Sequence, residues 1–160
     1  MEISKKKIWK IISNIVLVTV ILFSIVVILS SYNVFGLQMF VVKSGSMEPS
    51  IKTGSVVINS KSKNYNIDDV ITFKYVNDED SVTHRIVEVK DYGNNSFFYV
   101  TKGDANDSFD SDIVPKDKIL GKVRISIPYL GYLFSFIRTL PGLFIFVLLP
   151  AAIIITQEIL

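Results

Sequence analysis

The chain has 160 residues, 49% of them apolar and 20% charged, with a formal net charge of +2, which leaves room for one compact domain and little else. It contains no cysteine, which excludes disulfides, thiol catalysis and cysteine-ligated zinc. The small positive excess owes much to Lys5, Lys6, Lys7 and Lys10, and no basic stripe interleaved with aromatics points to nucleic acid.

Residues 1–10 form a basic tail. The segment 11–31 after it is nearly unbroken Ile, Val, Leu and Phe, and no charge falls between Lys10 and Lys43. At about 1.5 Å of helix rise per residue, roughly 20 residues cross a hydrocarbon layer of about 30 Å, so 11–31 is expected to be a transmembrane helix. A cleaved signal peptide starts in the same way, but its apolar core runs only about 7–15 residues and closes on a small-x-small site. This run is longer and has no clear site of that kind. The flanking lysines keep the start of the chain in the cytoplasm and put the domain beyond the span outside it.

Residues 32–136 read as an extracytoplasmic domain that is mainly β. Runs rich in Val, Ile, Phe and Tyr recur at 37–42, 55–58, 70–76, 82–89 and 97–101, separated by polar turn-forming clusters at 59–66, 77–81 and 91–96. Their length and spacing predict a small sheet or barrel-like domain. From Ile125 to Gln157 the only charge is Arg138, and 137–157 is expected to be a second transmembrane helix that returns the C-terminus to the inside. Pro141, Gly142 and Pro150 interrupt it, which leaves an interfacial or re-entrant segment as the alternative. The sequons Asn94-Asn95-Ser96 and Asn106-Asp107-Ser108 are read as chance matches in a chain rich in Asn and Ser.

Three short segments carry chemistry. The first, Lys43-Ser44-Gly45-Ser46-Met47-Glu48-Pro49-Ser50, offers a serine in a turn where Gly45 permits close backbone approach and Pro49 stiffens the exit. Alone it is only a Ser/Gly/Pro loop. The second, Thr83-His84-Arg85-Ile86-Val87, holds the single histidine of the chain. A lone histidine is more often structural than catalytic, but imidazole is well matched to proton transfer near neutral pH. The third runs from Thr101 to Asp112, with Asp104, Asp107, Asp110 and Asp112 inside nine residues. It lacks the ligand spacing and closing glutamate of a calcium loop. One of its aspartates is suited to orient a histidine through the second ring nitrogen, and the residue types leave open which.

In these segments the chain resembles the type I signal peptidases, in the Ser/His subclass found in archaea, the endoplasmic reticulum and some spore-forming bacteria. Ser44-Gly45-Ser46-Met47-Glu48-Pro49 is similar to the nucleophile box. Thr83-His84-Arg85-Ile86 is similar to the base box, which in this subclass carries His where the common bacterial subclass carries Lys. Thr101-Lys102-Gly103-Asp104-Ala105-Asn106-Asp107 is similar to the Gly-Asp box, and Ile127-Pro128-Tyr129-Leu130-Gly131 to the segment leading into the C-terminal anchor. The boxes stand in family order.

The resemblance implies a mainly β, signal-peptidase-like domain flanked by N- and C-terminal transmembrane helices. It implies Ser46 as nucleophile, His84 as base and Asp110 as the third carboxylate, six positions after Asp104. Asp104 takes a supporting role, Asp107 competes with Asp110, and the Ser46 amide with the Ser44 hydroxyl forms the oxyanion hole. No metal and no cofactor enter this chemistry. The implied substrates are preproteins bearing signal peptides, cut after small residues, with the lipid bilayer and accessory membrane subunits as partners. The implied location is the cell membrane, as a multi-pass protein with its catalytic domain on the extracytoplasmic side. Two rivals remain: a Ser/Lys self-cleaving protease, which needs a lysine where His84 stands, and a non-catalytic membrane-anchored β domain that binds an extracytoplasmic partner.

Overall fold

The computed structural model describes residues 5–30, 36–75, 80–93, 96–137 and 139–159. The chain divides into two compact units, one of residues 31–132 and one built from 1–30 and 133–160. In chain order the elements are helix α1 (Lys5–Ser30), strands β1 (Leu37–Val41), β2 (Val56–Ser60), β3 (Val70–Lys74), β4 (Ser81–Asp91), β5 (Phe97–Lys102), β6 (Val114–Pro115) and β7 (Ile119–Ile127), and helices α2 (Leu130–Ile137), α3 (Leu140–Leu143) and α4 (Leu149–Ile159).

Among its described residues, unit 31–132 is mainly β, as expected, and the strands form one seven-stranded sheet in the order β1-β2-β7-β3-β4-β5-β6 with antiparallel pairings. The five apolar runs read from the sequence correspond to β1 to β5. Residues 31–35, 76–79, 94–95 and 138 lie outside the described set, so the end of the 70–76 run, most of the 77–81 turn, the first sequon and Arg138 are not placed.

Two strands escaped the sequence reading, and one of them is central. The strand β7 runs between β2 and β3. Its sequence, ILGKVRISI, carries a glycine and two cations and then merges into the apolar C-terminal stretch. The strands run close at Gly121, where β7 pairs with β2: a Cβ there would stand 3.0 Å from the Ser60 carbonyl oxygen and 3.1 Å from the Asn59 Cβ, a tight contact. A residue chosen for closeness to a neighbouring strand weakens the local strand signal that it completes.

Alternation along each strand sorts side chains onto two faces. Ile71 and Phe73 of β3, Ile86 of β4 and Tyr99 of β5 turn inward and form one apolar cluster with Tyr65, Val114 and Ile119. A second cluster of Val42, Met47, Ile51 and Val57 lies under the turn after β1. His84 shares the inward period of Ile86 and is buried, whereas its neighbour Arg85 is only half-buried.

The other unit is helical. Its C-terminal part is not the single helix expected over 137–157. The chain breaks at Thr139, whose hydroxyl accepts the Gly142 N–H at the start of α3, with Pro141 inside the first turn. A π-helical turn over Phe144–Leu148 then leads into α4. Gly142 lets the segment fold back, since a Cβ there would overlap the Phe136 carbonyl oxygen at 2.0 Å. Among the described residues no single helix is long and apolar enough to cross a membrane; Leu130–Ile137 and Leu140–Ala152 together have the length but are bent by 86°.

Candidate active site

The turn after β1 is held by its own backbone and by one buried side chain. Val42 and Ser55 are joined by Val42 N–H to Ser55 O (2.9 Å), and Gly54 N–H returns to Val42 O (2.9 Å). Between them the chain makes a compact turn, with Glu48 N–H on Gly45 O and Ile51 N–H on Met47 O. Met47 is fully buried in the cluster with Val42, Ile51 and Val57. Burying a side chain of that size contributes about 1.5–3 kcal/mol, which anchors the residue next to Ser46. Glu48 accepts from the Thr53 N–H and hydroxyl, and these bonds hold its carboxyl below the usual range.

Ser46 is half-buried at this turn, and its Oγ lies 2.9 Å from Nε2 of His84. The other ring nitrogen of His84, Nδ1, lies 2.6 Å from Oδ2 of Asp110. The imidazole and the carboxylate are 9% and 8% exposed, so the pair works in a drier medium than bulk water. A carboxylate only accepts, so Nδ1 carries the proton and Nε2 is left to accept from the serine hydroxyl. The Phe73 ring lies beside the imidazole in an inclined, edge-type contact, with ring centroids 6.5 Å apart. Ser44 Oγ stands 3.3 Å from Ser46 Oγ on the exposed side of the turn.

The other aspartates are placed differently. Asp104 forms a two-pronged pair with Arg85, at 2.8 Å to Nε and 2.7 Å to Nη2. That guanidinium, helped by the Ser50 hydroxyl, holds the Asp104 carboxyl below its ordinary value despite partial burial, and the carboxylate in turn raises Arg85. Asp107 is exposed. Lys102 lies over the Phe109 ring, 5.8 Å from its centroid.

Two residues that the sequence reading left without a role take part in the geometry. The first is Gly103. Within the chain no close approach is made at Gly45, where a Cβ meets nothing nearer than 3.5 Å. It is made at Gly103, where a Cβ would stand 2.6 Å from the Ser46 carbonyl oxygen. That contact lets Ala105 N–H bond to Ser46 O at 2.8 Å, tying the nucleophile turn to the aspartate loop. The second is Thr101, whose hydroxyl donates to Asp110 Oδ2. No local sequence pattern could have found either contact.

Among the described residues no group of three or more His, Cys, Asp or Glu side chains is arranged to hold a metal ion. A separate open cleft of about 560 Å³, lined in part by Tyr65, Phe97, Tyr99 and Lys116, includes none of Ser46, His84 or Asp110. Burial there, with Tyr65 beside it, raises the Tyr99 hydroxyl above its ordinary value.

A serine, an imidazole and a carboxylate joined in this order form the arrangement of serine hydrolases, recognised by geometry rather than by position in the chain. No family model matches the chain. It is 37% identical over 122 residues to signal peptidase I W of Bacillus subtilis, a match covering 69% of this chain and 63% of that protein. It is 28% identical over 100 residues to the human signal peptidase complex catalytic subunit SEC11C, covering 57% and 52%. To the SEC11 subunit of Schizophyllum commune it is 29% identical over 116 residues, covering 58% and 60%. These matches make the chain a relative of the Ser/His signal peptidases, the group its ordered motifs resemble. The chain spans between about half and just under two thirds of the length of these relatives.

Proposed function

We propose that this chain is a membrane-anchored serine endopeptidase that removes N-terminal signal peptides from secreted precursors, cutting after small residues. The observation that carries this reading is the unbroken contact from Ser46 through His84 to Asp110, in a chain related to signal peptidases. Ser46 Oγ attacks the scissile carbonyl carbon while His84 Nε2 takes the hydroxyl proton, and Asp110 stabilises the imidazolium that forms. The Ser46 amide and the Ser44 hydroxyl are the proposed donors to the developing oxyanion; one such donor contributes about 3–4 kcal/mol of transition-state stabilisation. Collapse breaks the peptide bond, and the amine of the mature protein leaves with the proton from His84. The signal peptide stays as an ester on Ser46. Water attacks that ester, gives its proton to Nε2, and the serine recovers its hydroxyl.

The strand β1 lies at one edge of the sheet and leads into the Ser46 turn, which supports a substrate segment adding as a further strand. The uncharged 11–31 segment within and beyond α1 supports an anchor, with the lysine-rich tail in the cytoplasm and residues 32–136 outside it. Tethering enzyme and precursor to one bilayer limits both the search and the possible orientations. The bent C-terminal helices suit a broken or re-entrant segment better than a straight second span over 137–157. Because SEC11C is named as a subunit of a complex, accessory membrane subunits are proposed as partners.

The test is precursor processing in a membrane preparation. Ser46→Ala, verified as folded, is expected to abolish cleavage, a loss of about 10⁶-fold where nucleophile removal has been measured in serine proteases. Unchanged cleavage would remove the reading.

A further inference from the structure

A catalytic imidazole needs more than a nearby carboxylate: that carboxylate must itself be held. The terminal torsion of an aspartate is broad and roughly two-fold, so its oxygens swing unless something fixes them. In this protein Asp110 Oδ2 accepts two bonds at 2.6 Å, one from His84 Nδ1 and one from the Thr101 hydroxyl. Thr101 sits on β5 with no exposed surface, and it faces Ile86 of β4 across the ladder, two residues beyond His84. It grips Asp110 a second time, accepting the Asp110 N–H on its own carbonyl at 2.9 Å. The direction of the hydroxyl bond is fixed, because an ionised carboxylate has no proton to give. Contacts of about 2.5–2.7 Å are the range of charge-assisted O–H···O⁻ bonds. The bond also offsets part of the cost of keeping a carboxylate largely out of water.

We propose that Thr101 is a positioning residue for the Ser46–His84–Asp110 relay: its hydroxyl locks the Asp110 carboxylate, which then holds His84 in the tautomer and orientation that leave Nε2 free for Ser46. It acts through Asp110 and touches neither substrate nor reacting atoms. The role rests on the peptidase reading for its catalytic consequence, but the physical claim about the imidazole stands apart from it.

The single histidine makes the test direct. In the full-length protein in detergent, the Nδ1-bound proton of the only imidazole gives one assignable NMR signal, displaced downfield by a short hydrogen bond. Thr101→Val keeps the shape and removes the hydroxyl. It is expected to move that signal upfield and broaden it by exchange with water. It should also lower kcat for precursor cleavage by roughly tenfold with little change in KM, the scale of a lost hydrogen bond to a charged group. Thr101→Ser keeps the hydroxyl and is expected to restore both. In an Asp110→Asn background the Thr101→Val penalty should largely disappear, since the carboxylate to be held is gone. An unmoved imidazole signal in folded Thr101→Val, or a Thr101→Ser variant as impaired as the valine, overturns the proposal. If valine does not fold, Thr101→Ala read against Thr101→Ser decides by the same signal. A moved signal in a protein that cleaves no precursor would sustain Thr101 and sink the peptidase reading instead.

Discussion

Two neighbouring residues on β4, His84 and Arg85, each pair with an aspartate from the loop after β5 at similar distance, but the pairs differ in burial and in what lies beyond them. The His84–Asp110 pair is inward, nearly dry, and ends on a hydroxyl. The Arg85–Asp104 pair points the other way, with side chains 29% and 14% exposed, and ends on the Asp68 carbonyl. The first leaves one nitrogen of a titratable ring open for proton transfer. The second fills both prongs of a group that does not deprotonate, so it can fasten the loop but cannot run acid–base chemistry. Strand alternation is the cause: consecutive residues face opposite sides, so one loop meets two environments at adjacent positions.

The two pairs are told apart most clearly by exchanging the loop carboxylates for neutral groups one at a time. Asp110→Ala is expected to lower precursor cleavage by about 10³-fold or more, in the range seen when the third member of a serine relay is lost. The exposed Asp107→Ala is expected to stay near the wild type. The reverse order in kcat measurements would mean that the wrong aspartate has been assigned to His84.

A smaller effect is expected where the two pairs are joined. Gly103→Ala puts a Cβ 2.6 Å from the Ser46 carbonyl oxygen, which is backbone, and 2.8 Å from the Asn106 side-chain nitrogen. The turn and the loop must separate, at a cost of about 1–3 kcal/mol, with activity falling as Ser46 and His84 lose register. Thermal unfolding and cleavage assays on the same preparation check both effects, and wild-type behaviour would show that the close approach is dispensable.

The smallest effect belongs to the fastening pair. Asp104→Asn is expected to reduce stability at neutral pH by about 1–2 kcal/mol and to slow cleavage less than Asp110→Ala does. The sign of its pH dependence comes from the lowered carboxyl. The folded value lies below the ordinary 3.8, so the contribution is complete above that value and is lost as pH falls through the folded one. Wild type should therefore lose stability below about pH 4 more steeply than Asp104→Asn. Parallel melting curves across that window would contradict the assignment.

Local sequence was enough for the β character of the middle segment, because alternation and turn chemistry are properties of neighbours. It offered Ser46 only as one serine in a Ser/Gly/Pro loop and His84 only as the single imidazole; the ordered resemblance gave both their roles. It did not decide among Asp104, Asp107 and Asp110 by chemistry alone; the resemblance favoured Asp110, and the fold brings that residue to the ring. Nor did it reveal β7, the strand that joins the two halves of the sheet, because Gly121 and the apolar tail blur its period.

Residue types and their order were enough to say which side chains are able to do acid–base and nucleophilic work, and which stretches are apolar enough to leave water. Who meets whom came from the fold: Ser46, His84 and Asp110 are separated by 38 and 26 positions, and Thr101 and Gly103 contact partners on other elements. Periodicity is a short-range property of the chain. Contacts between distant strands are set by register and packing, which no local window contains.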